Sequence, residues 1–337
     1  MQEISRIKLW SIGGGKGGIG KSIFTLGLGI CLSRLGKKVI LIDADLGGAN
    51  LHTLMGVHYP PVTLEDFLLK KVERLEDLII PTEVEGIGLI CGADDVLGAA
   101  NPTFAQKIRL LKQMEGLNAH FVLLDLGAGT SFNFLDFFNY SPGKIILATN
   151  QATALQNAYG FIKSALYRQL SRQFSRNGEM LELLFQMGGK PEDGLPQSIR
   201  ELLTSLRDDF PEEYAQVVRV MAYMRVWLVV NMVKNTRDGN CARIIQEVCR
   251  DFLSLKIDIL GHLPYDAAVE AAINNTNPLL LTQKRGIAMA ALQGIAAKIM
   301  KESRLPRTAW VTEEELMDQK ELPAPSEEVA YPGYYFW

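Results

Sequence analysis

A chain of 337 residues with 47% hydrophobic side chains is long enough to bury one large core or two small ones. Its net charge of −3 gives no overall nucleic-acid signature, although a local basic face stays open. No apolar stretch is long enough to span a bilayer, and the start, Met1-Gln-Glu-Ile-Ser-Arg-Ile-Lys8, lacks the pattern of a signal sequence, so the expectation is a cytoplasmic protein.

The first apolar run, Ile7–Ile12, predicts a strand, and Ser22 to Leu35 predicts an apolar helix. Between them, Gly15-Lys-Gly-Gly-Ile-Gly-Lys-Ser22 fits the P-loop pattern G-x-x-x-x-G-K-[ST]. Glycines let successive backbone N–H groups turn inward toward phosphate oxygens. Lys21 then reaches the β- and γ-phosphates, the Ser22 hydroxyl completes a Mg²⁺ shell, and the helix start adds positive potential. Gly15, Gly17, Gly18, Ile19 and Gly20, with Lys21, Ser22 and Ile23, form the candidate phosphate-binding set. A rival pattern, G-x-G-x-x-G with an acid about twenty residues on (Asp43), suits a dinucleotide fold. Lys21-Ser22 argues against it, because a triphosphate with Mg²⁺ needs both groups and a dinucleotide turn needs neither.

Further strand-like runs follow at Val39–Ile42, Ile87–Cys91, Phe121–Leu126, Lys144–Thr149, Val226–Asn231 and Ile257–Leu263, with helical patterns between them. Most are continuously apolar, as strands covered on both faces should be. The alternation predicts an α/β fold, a doubly wound, mostly parallel sheet flanked by helices, with ligand chemistry at the carboxyl ends of its strands. Residues 175–225 break the rhythm; Met180–Met187, Pro196–Arg207 and Glu212–Tyr223 read as a helical insertion, with Gly188-Gly-Lys-Pro as a break. It serves either as packing bulk or as a partner-docking surface. Four cysteines, Cys31, Cys91, Cys241 and Cys249, show no metal spacing and read as buried thiols. Residues 305–337 hold seven acids against Arg307 and Lys320, a charge of −5 that leaves +2 on residues 1–304. This acidic tail is rich in aromatics (Tyr331, Tyr334, Tyr335, Phe336, Trp337), which are expected to dock on the protein itself or on a partner.

Three motifs at strand ends fit nucleotide hydrolysis. In Asp43-Ala-Asp45-Leu-Gly-Gly-Ala-Asn50, Asp45 is placed to orient the attacking water and Asp43 to lie close to the metal; the bland alternative is two solvated acids. Phe121-Val-Leu-Leu-Asp125-Leu-Gly-Ala-Gly129 is a Walker B-like strand whose Asp125 can hold the Mg²⁺ shell, followed by a glycine loop suited to sensing the γ-phosphate. Asn231 offers the paired donor and acceptor an adenine edge needs, and Leu263-Pro264-Tyr265-Asp266 can close over the base; generic strand-end turns explain these nearly as well.

Together these residues resemble the MinD/ParA ATPases. Lys16-Gly-Gly-Ile-Gly-Lys21-Ser22 is similar to their deviant Walker A loop, with Lys16 as the extra signature lysine. Asp43 to Asn50 with Leu54-Met-Gly56, Asp125-Leu-Gly-Ala-Gly129, Ala158-Tyr-Gly-Phe-Ile-Lys163 and Leu260-Gly-His-Leu-Pro-Tyr-Asp266 are most similar to the FlhG (FleN, YlxH) branch, the regulators of flagellar number and placement. The resemblance implies a P-loop ATPase domain over residues 1–304. It also implies ATP and Mg²⁺ as ligands, an ATP-dependent homodimer in which Lys16 reaches the partner's nucleotide, slow turnover, and a regulatory protein partner. Lys16, Lys21 and Asp45 are then the catalytic set, and Ser22, Asp43 and Asp125 the metal set. MinD-like proteins often carry a basic amphipathic membrane helix at the carboxyl end, whereas Glu313-Glu-Glu-Leu-Met-Asp318 is acidic; only weak membrane or pole association through the aromatics is expected.

The alternative is a ParA-like partition ATPase binding DNA non-specifically, for which Lys163, Arg168, Arg172 and Arg176 approach helical spacing. A solvated basic face is the simpler reading of those four. A metal-centre maturation ATPase lacks paired cysteines, and a metabolic ligase lacks a recognisable substrate constellation.

Overall fold

Residues 8–46, 48–92, 102–188, 196, 198–275 and 286–303 are described by the computed structural model of the chain. The mostly apolar runs become strands: Leu9–Gly13 (β1), Val39–Asp43 (β2), Ile87–Ile90 (β4), Phe121–Asp125 (β5), Gly143–Thr149 (β6), Val226–Val233 (β7) and Ile257–Pro264 (β8), nearly all buried in β1, β2 and β4 to β6 and only partly so in β8 at the sheet edge, which carries Asp258 and His262. All seven lie where the apolar runs predict them. An eighth, Ile80–Pro81 (β3), pairs antiparallel at the edge beside β4. Two residues carry no alternation signal, and a proline without N–H suits an edge. The sheet order is β3-β4-β2-β5-β1-β6-β7-β8, parallel apart from β3.

Between the strands run Lys21–Arg34 (α1), Leu51–Leu54 (α2), Leu64–Leu68 (α3), Phe104–Gly116 (α4), Phe132–Tyr140 (α5) and Ala152–Gln173 (α6). They are followed by Gly178–Gly188 (α7), Ile199–Asp209 (α8), Pro211–Ala222 (α9), Cys241–Leu253 (α10), Ala267–Asn274 (α11) and Ile287–Glu302 (α12). Because strand side chains alternate, each strand feeds two cores. Ile40, Ile42, Val122 and Leu124 pack under α3 to α10, while Leu41, Leu123, Ile145 and Leu147 pack with α1 and α12 on the other face.

The helices α7 to α9 fall within the expected insertion. Met180, Leu184, Leu202, Val217 and Met221 join the same hydrophobic cluster as α6 and the sheet, so these helices extend one core. Their outer side keeps Phe185 84% exposed, and the predicted break at 189–191 lies outside the described residues, as does 304–337. All four cysteines are buried, as expected.

The basic face anticipated on α6 is not simply solvated. Asp136 on α5 is buried, and three cations converge on it: Lys107 at 2.6 Å, Arg168 at 3.0 Å and Arg172 at 3.3 Å. Burial pushes the Asp136 carboxyl up, but hydrogen bonds from Arg168 and Lys107 and the Arg172 charge outweigh it and hold the group below the usual range. Lys163 meanwhile lies over the Tyr167 ring at 5.4 Å. A buried acid has drawn in side chains that helical spacing alone would leave in water.

Candidate functional site

The chain reverses its direction of travel across the sheet around β1, which lies between β5 and β6, and such a switch point opens a crevice at the carboxyl ends of the strands. The predicted phosphate loop occupies it, from the end of β1 to the start of α1. Gly18 and Gly20 take left-handed φ values of 76° and 86°, which lets the loop curl before α1 begins. Gly15 lies against the Asn157 backbone of α6, Gly17 and Gly18 are exposed, and Ile19 is buried beneath.

Lys21 is 8% exposed, and its Nζ donates to the Lys16 carbonyl at 3.3 Å. Burial lowers its pKa, opposed by the charges of Asp125 and Asp45. Lys16 is exposed, and its Nζ donates to Thr153 Oγ1 at 3.3 Å. One loop therefore carries a buried inward lysine and an exposed outward one.

Beneath the loop, Asp43 and Asp125 are register partners on β2 and β5. Burial raises the pKa of Asp125 most, its neighbour Asp43 adds to the rise, and Ser22, Lys21 and Thr25 counteract it. Burial likewise raises Asp43, against backbone N–H groups that lower it. Two buried carboxylates beside one lysine and a serine hydroxyl make a donor set that suits a divalent cation with phosphate oxygens. Ser22 and Asp125 are the side chains best able to hold Mg²⁺. Asp43, expected near the metal, is engaged otherwise: Oδ1 accepts from Asp45 N–H at 3.1 Å, and Oδ2 accepts from Asn50 and Leu51 N–H, each at 2.9 Å. It anchors the loop that carries Asp45 and starts α2.

Asp45 is half-buried and lies against Gly127 in the loop after β5. A Cβ at Gly127 would come within 2.7 Å of its Oδ1. Only glycine permits that approach, so the loops after β2 and β5 meet there.

A cavity of about 300 Å³ lies beside the loop, lined by Ile23, Asn231, Met232, Pro264, Tyr265 and Asp266 among others. The predicted base-binding residues are thus together, but their polar groups have backbone duties. Asn231 Nδ2 donates to the Ile19 carbonyl and Oδ1 accepts from Met232 N–H, both at 2.9 Å. Asn231 ties β7 to the phosphate loop and keeps one N–H and one lone pair for other use. Asp266 accepts from Ala268 N–H at 2.9 Å and from Ala288 N–H at 3.2 Å, which pins the starts of α11 and α12. Met232 adopts a left-handed φ of 58°, strain that sits at the cavity mouth.

Two residues escaped sequence reasoning. Thr25 is buried, its Oγ1 3.0 Å from the Lys21 carbonyl and 3.4 Å from Asp125 Oδ1, with one hydroxyl proton for either acceptor. Its place one helical turn after Lys21 was the available signal. Thr153, the partner of Lys16, lies 137 positions away and had none.

A sequence profile described as "CobQ/CobB/MinD/ParA nucleotide binding domain" matches residues 10–279. The antiactivator FleN of Pseudomonas aeruginosa is 26% identical over 224 residues, covering 66% of this chain and 76% of FleN. The flagellum site-determining protein YlxH of Helicobacter pylori is 30% identical over 191 residues, covering 56% of this chain and 60% of YlxH. In fold, the cell division ATPase MinD of Pyrococcus furiosus matches with a TM-score of 0.57 at 18% identity, covering 88% of this chain and 99% of MinD. MinD from Pyrococcus horikoshii, solved with Mg-ADP, matches at 0.56 and 19% identity, covering 88% and 98%. With the phosphate loop, the paired strand-end acids and the profile in agreement, the chain belongs to the CobQ/CobB/MinD/ParA family of nucleotide-binding domains.

Proposed function

We propose that this protein is an ATP-binding and ATP-hydrolysing switch that dimerises over its nucleotide and helps place flagella or another pole- or division-linked structure. The carrying observation is the pair of lysines in one loop, Lys21 buried and Lys16 exposed. Lys21 holds the phosphates of its own site. Lys16 projects from the rim, where a second subunit packed face to face would receive it as charge supplied only by the assembled state. The relative YlxH, a flagellum site-determining protein, supports the cellular reading. A regulatory protein partner and peripheral pole or membrane association belong to the same proposal, in a cytoplasmic protein. On this reading residues 1–304 are the ATPase unit, with the helices of 175–225 inserted in it, and 305–337 is an appended acidic segment.

In hydrolysis, Asp45 orients the attacking water while Gly127 keeps the adjoining loop close to it. Lys21 would fix the β- and γ-phosphates, and Ser22 and Asp125 would hold Mg²⁺, which when bound would neutralise phosphate charge. Loss of the γ-phosphate removes contacts from the loops at Asp45 and Gly127, and the dimer face relaxes. Turnover is slow until a partner stabilises the assembled state.

Size-exclusion chromatography with light scattering tests the switch. Asp45→Ala is expected to run as a monomer without nucleotide and as a dimer with saturating ATP and Mg²⁺. A variant that stays monomeric in both conditions would refute dimerisation over ATP. A second measurement addresses the loop tie. Asn231→Ala frees the Ile19 carbonyl, a loss of about 1–2 kcal/mol, so Mg-ATP affinity by calorimetry should fall about 5–30-fold. Unchanged affinity would mean that the tie does not shape the loop.

A further inference from the structure

Thr149 ends β6 next to the switch point, is 6% exposed, and its Oγ1 has no hydrogen-bond partner among the described residues. Valine would fill the same volume without desolvating a hydroxyl, so a buried threonine here needs a partner. The direction of the side chain narrows the choice. Ile145 and Leu147 belong to the hydrophobic cluster on the α1 face and Ile146 and Ala148 to the opposite one, so alternation puts Thr149 on the α1 face. Its register partner on β7 is Asn231, which holds the Ile19 carbonyl at the far limb of the phosphate loop. The near limb starts against β6 itself: a Cβ at Gly14 would come within 3.1 Å of the Leu147 carbonyl. Thr149 thus faces the loop between its two points of attachment.

We propose that Thr149 is a positioning residue for nucleotide binding: its hydroxyl donates to a carbonyl of the Gly14–Gly15 limb when the loop closes on the phosphates. A loop that turns its N–H groups inward to an anion turns its carbonyls outward, and each then needs a donor. Three are already served: Lys16 O by Lys21 Nζ at 3.3 Å, Ile19 O by Asn231 at 2.9 Å and Gly20 O by Phe24 N–H at 2.9 Å. The near limb packs on β6 and on the Asn157 backbone of α6, and Thr149 is the buried side-chain donor that β6 offers it. Thr149 and Asn231, neighbours on adjacent strands, then hold the two limbs from below. The inference rests on the phosphate-loop reading and adds to it a residue 127 positions beyond Ser22, outside any loop pattern.

Calorimetry of Mg-ATP binding to the full chain, with melting temperature measured without nucleotide, tests this. Thr149→Val keeps the shape and loses the hydroxyl. Its affinity should fall about three- to tenfold, the loss of one hydrogen bond, while its melting temperature holds or rises. Thr149→Ser keeps the hydroxyl and should bind within about twofold of wild type. A structural role alone would instead move the melting temperature and leave affinity in place. Equal affinity in wild type and Thr149→Val would overturn the proposal. So would an equal loss in Thr149→Ser, which would trace the effect to packing of the methyl group. Wild type without affinity for Mg-ATP would fault the phosphate-loop reading itself, a different result from a wild type that binds and a valine variant that binds equally well.

Discussion

Lys16→Ala is expected to lower ATP turnover by about 10³-fold or more while Mg-ATP affinity changes by less than about threefold. Lys16 is exposed, and its one described side-chain contact is Thr153, so removing it leaves the packed loop intact. Ground-state binding stays with Lys21, Ser22 and the loop backbone. What is lost is charge at the transferring phosphoryl group, which acts in the transition state and only once two subunits meet. The pattern to look for is a fall in the phosphate-release rate with binding isotherms nearly superimposed. A loss of less than about tenfold would show that Lys16 is merely a surface lysine. A parallel collapse of affinity would place it in its own subunit's site beside Lys21.

Asp136→Ala should reduce unfolding stability by about 3 to 5 kcal/mol, read from urea denaturation at neutral pH. The carboxylate is 2% exposed, and its removal leaves Lys107, 10% exposed, without its acid. The half-exposed arginines can turn to water and contribute less. A pH series adds a check with a definite sign. The folded carboxyl lies below its ordinary value, so the unfolded chain binds that proton more tightly. Its stabilisation is therefore complete above the unfolded value near 3.9 and fades as pH falls through the folded value. The gap between wild type and Asp136→Asn should narrow below about pH 4. A gap that widens in acid, or a variant as stable as wild type at pH 7, would remove the cluster from the account of stability.

Much of the site was legible because its signals are local. The run from Gly15 to Ser22 needs only neighbouring residues to define its turn, and the continuously apolar runs mark strands covered on both faces. β3 was missed because two residues at an edge carry no periodicity. The roles of Asn231 and Asp266 were read from their chemistry near strand ends, and both line the same cavity. Their hydrogen bonds went elsewhere. The Ile19 carbonyl lies 212 positions from Asn231, and the Ala288 N–H lies 22 from Asp266. Asp43 is a similar case, its oxygens taken by N–H groups of the loop that the next residues form.

The sequence alone determined the phosphate loop, the two strand-end acids, the doubly wound sheet and the presence of extra helices between α6 and β7. All of these depend on backbone freedom, side-chain period and spacing within a few residues. The tertiary structure alone decided which polar groups remain available: Asp43, Asn231 and Asp266 are drawn onto backbone, and three basic side chains gather on Asp136. The physical reason is that a buried donor, acceptor or charge must find a partner wherever the fold brings one, at any separation along the chain.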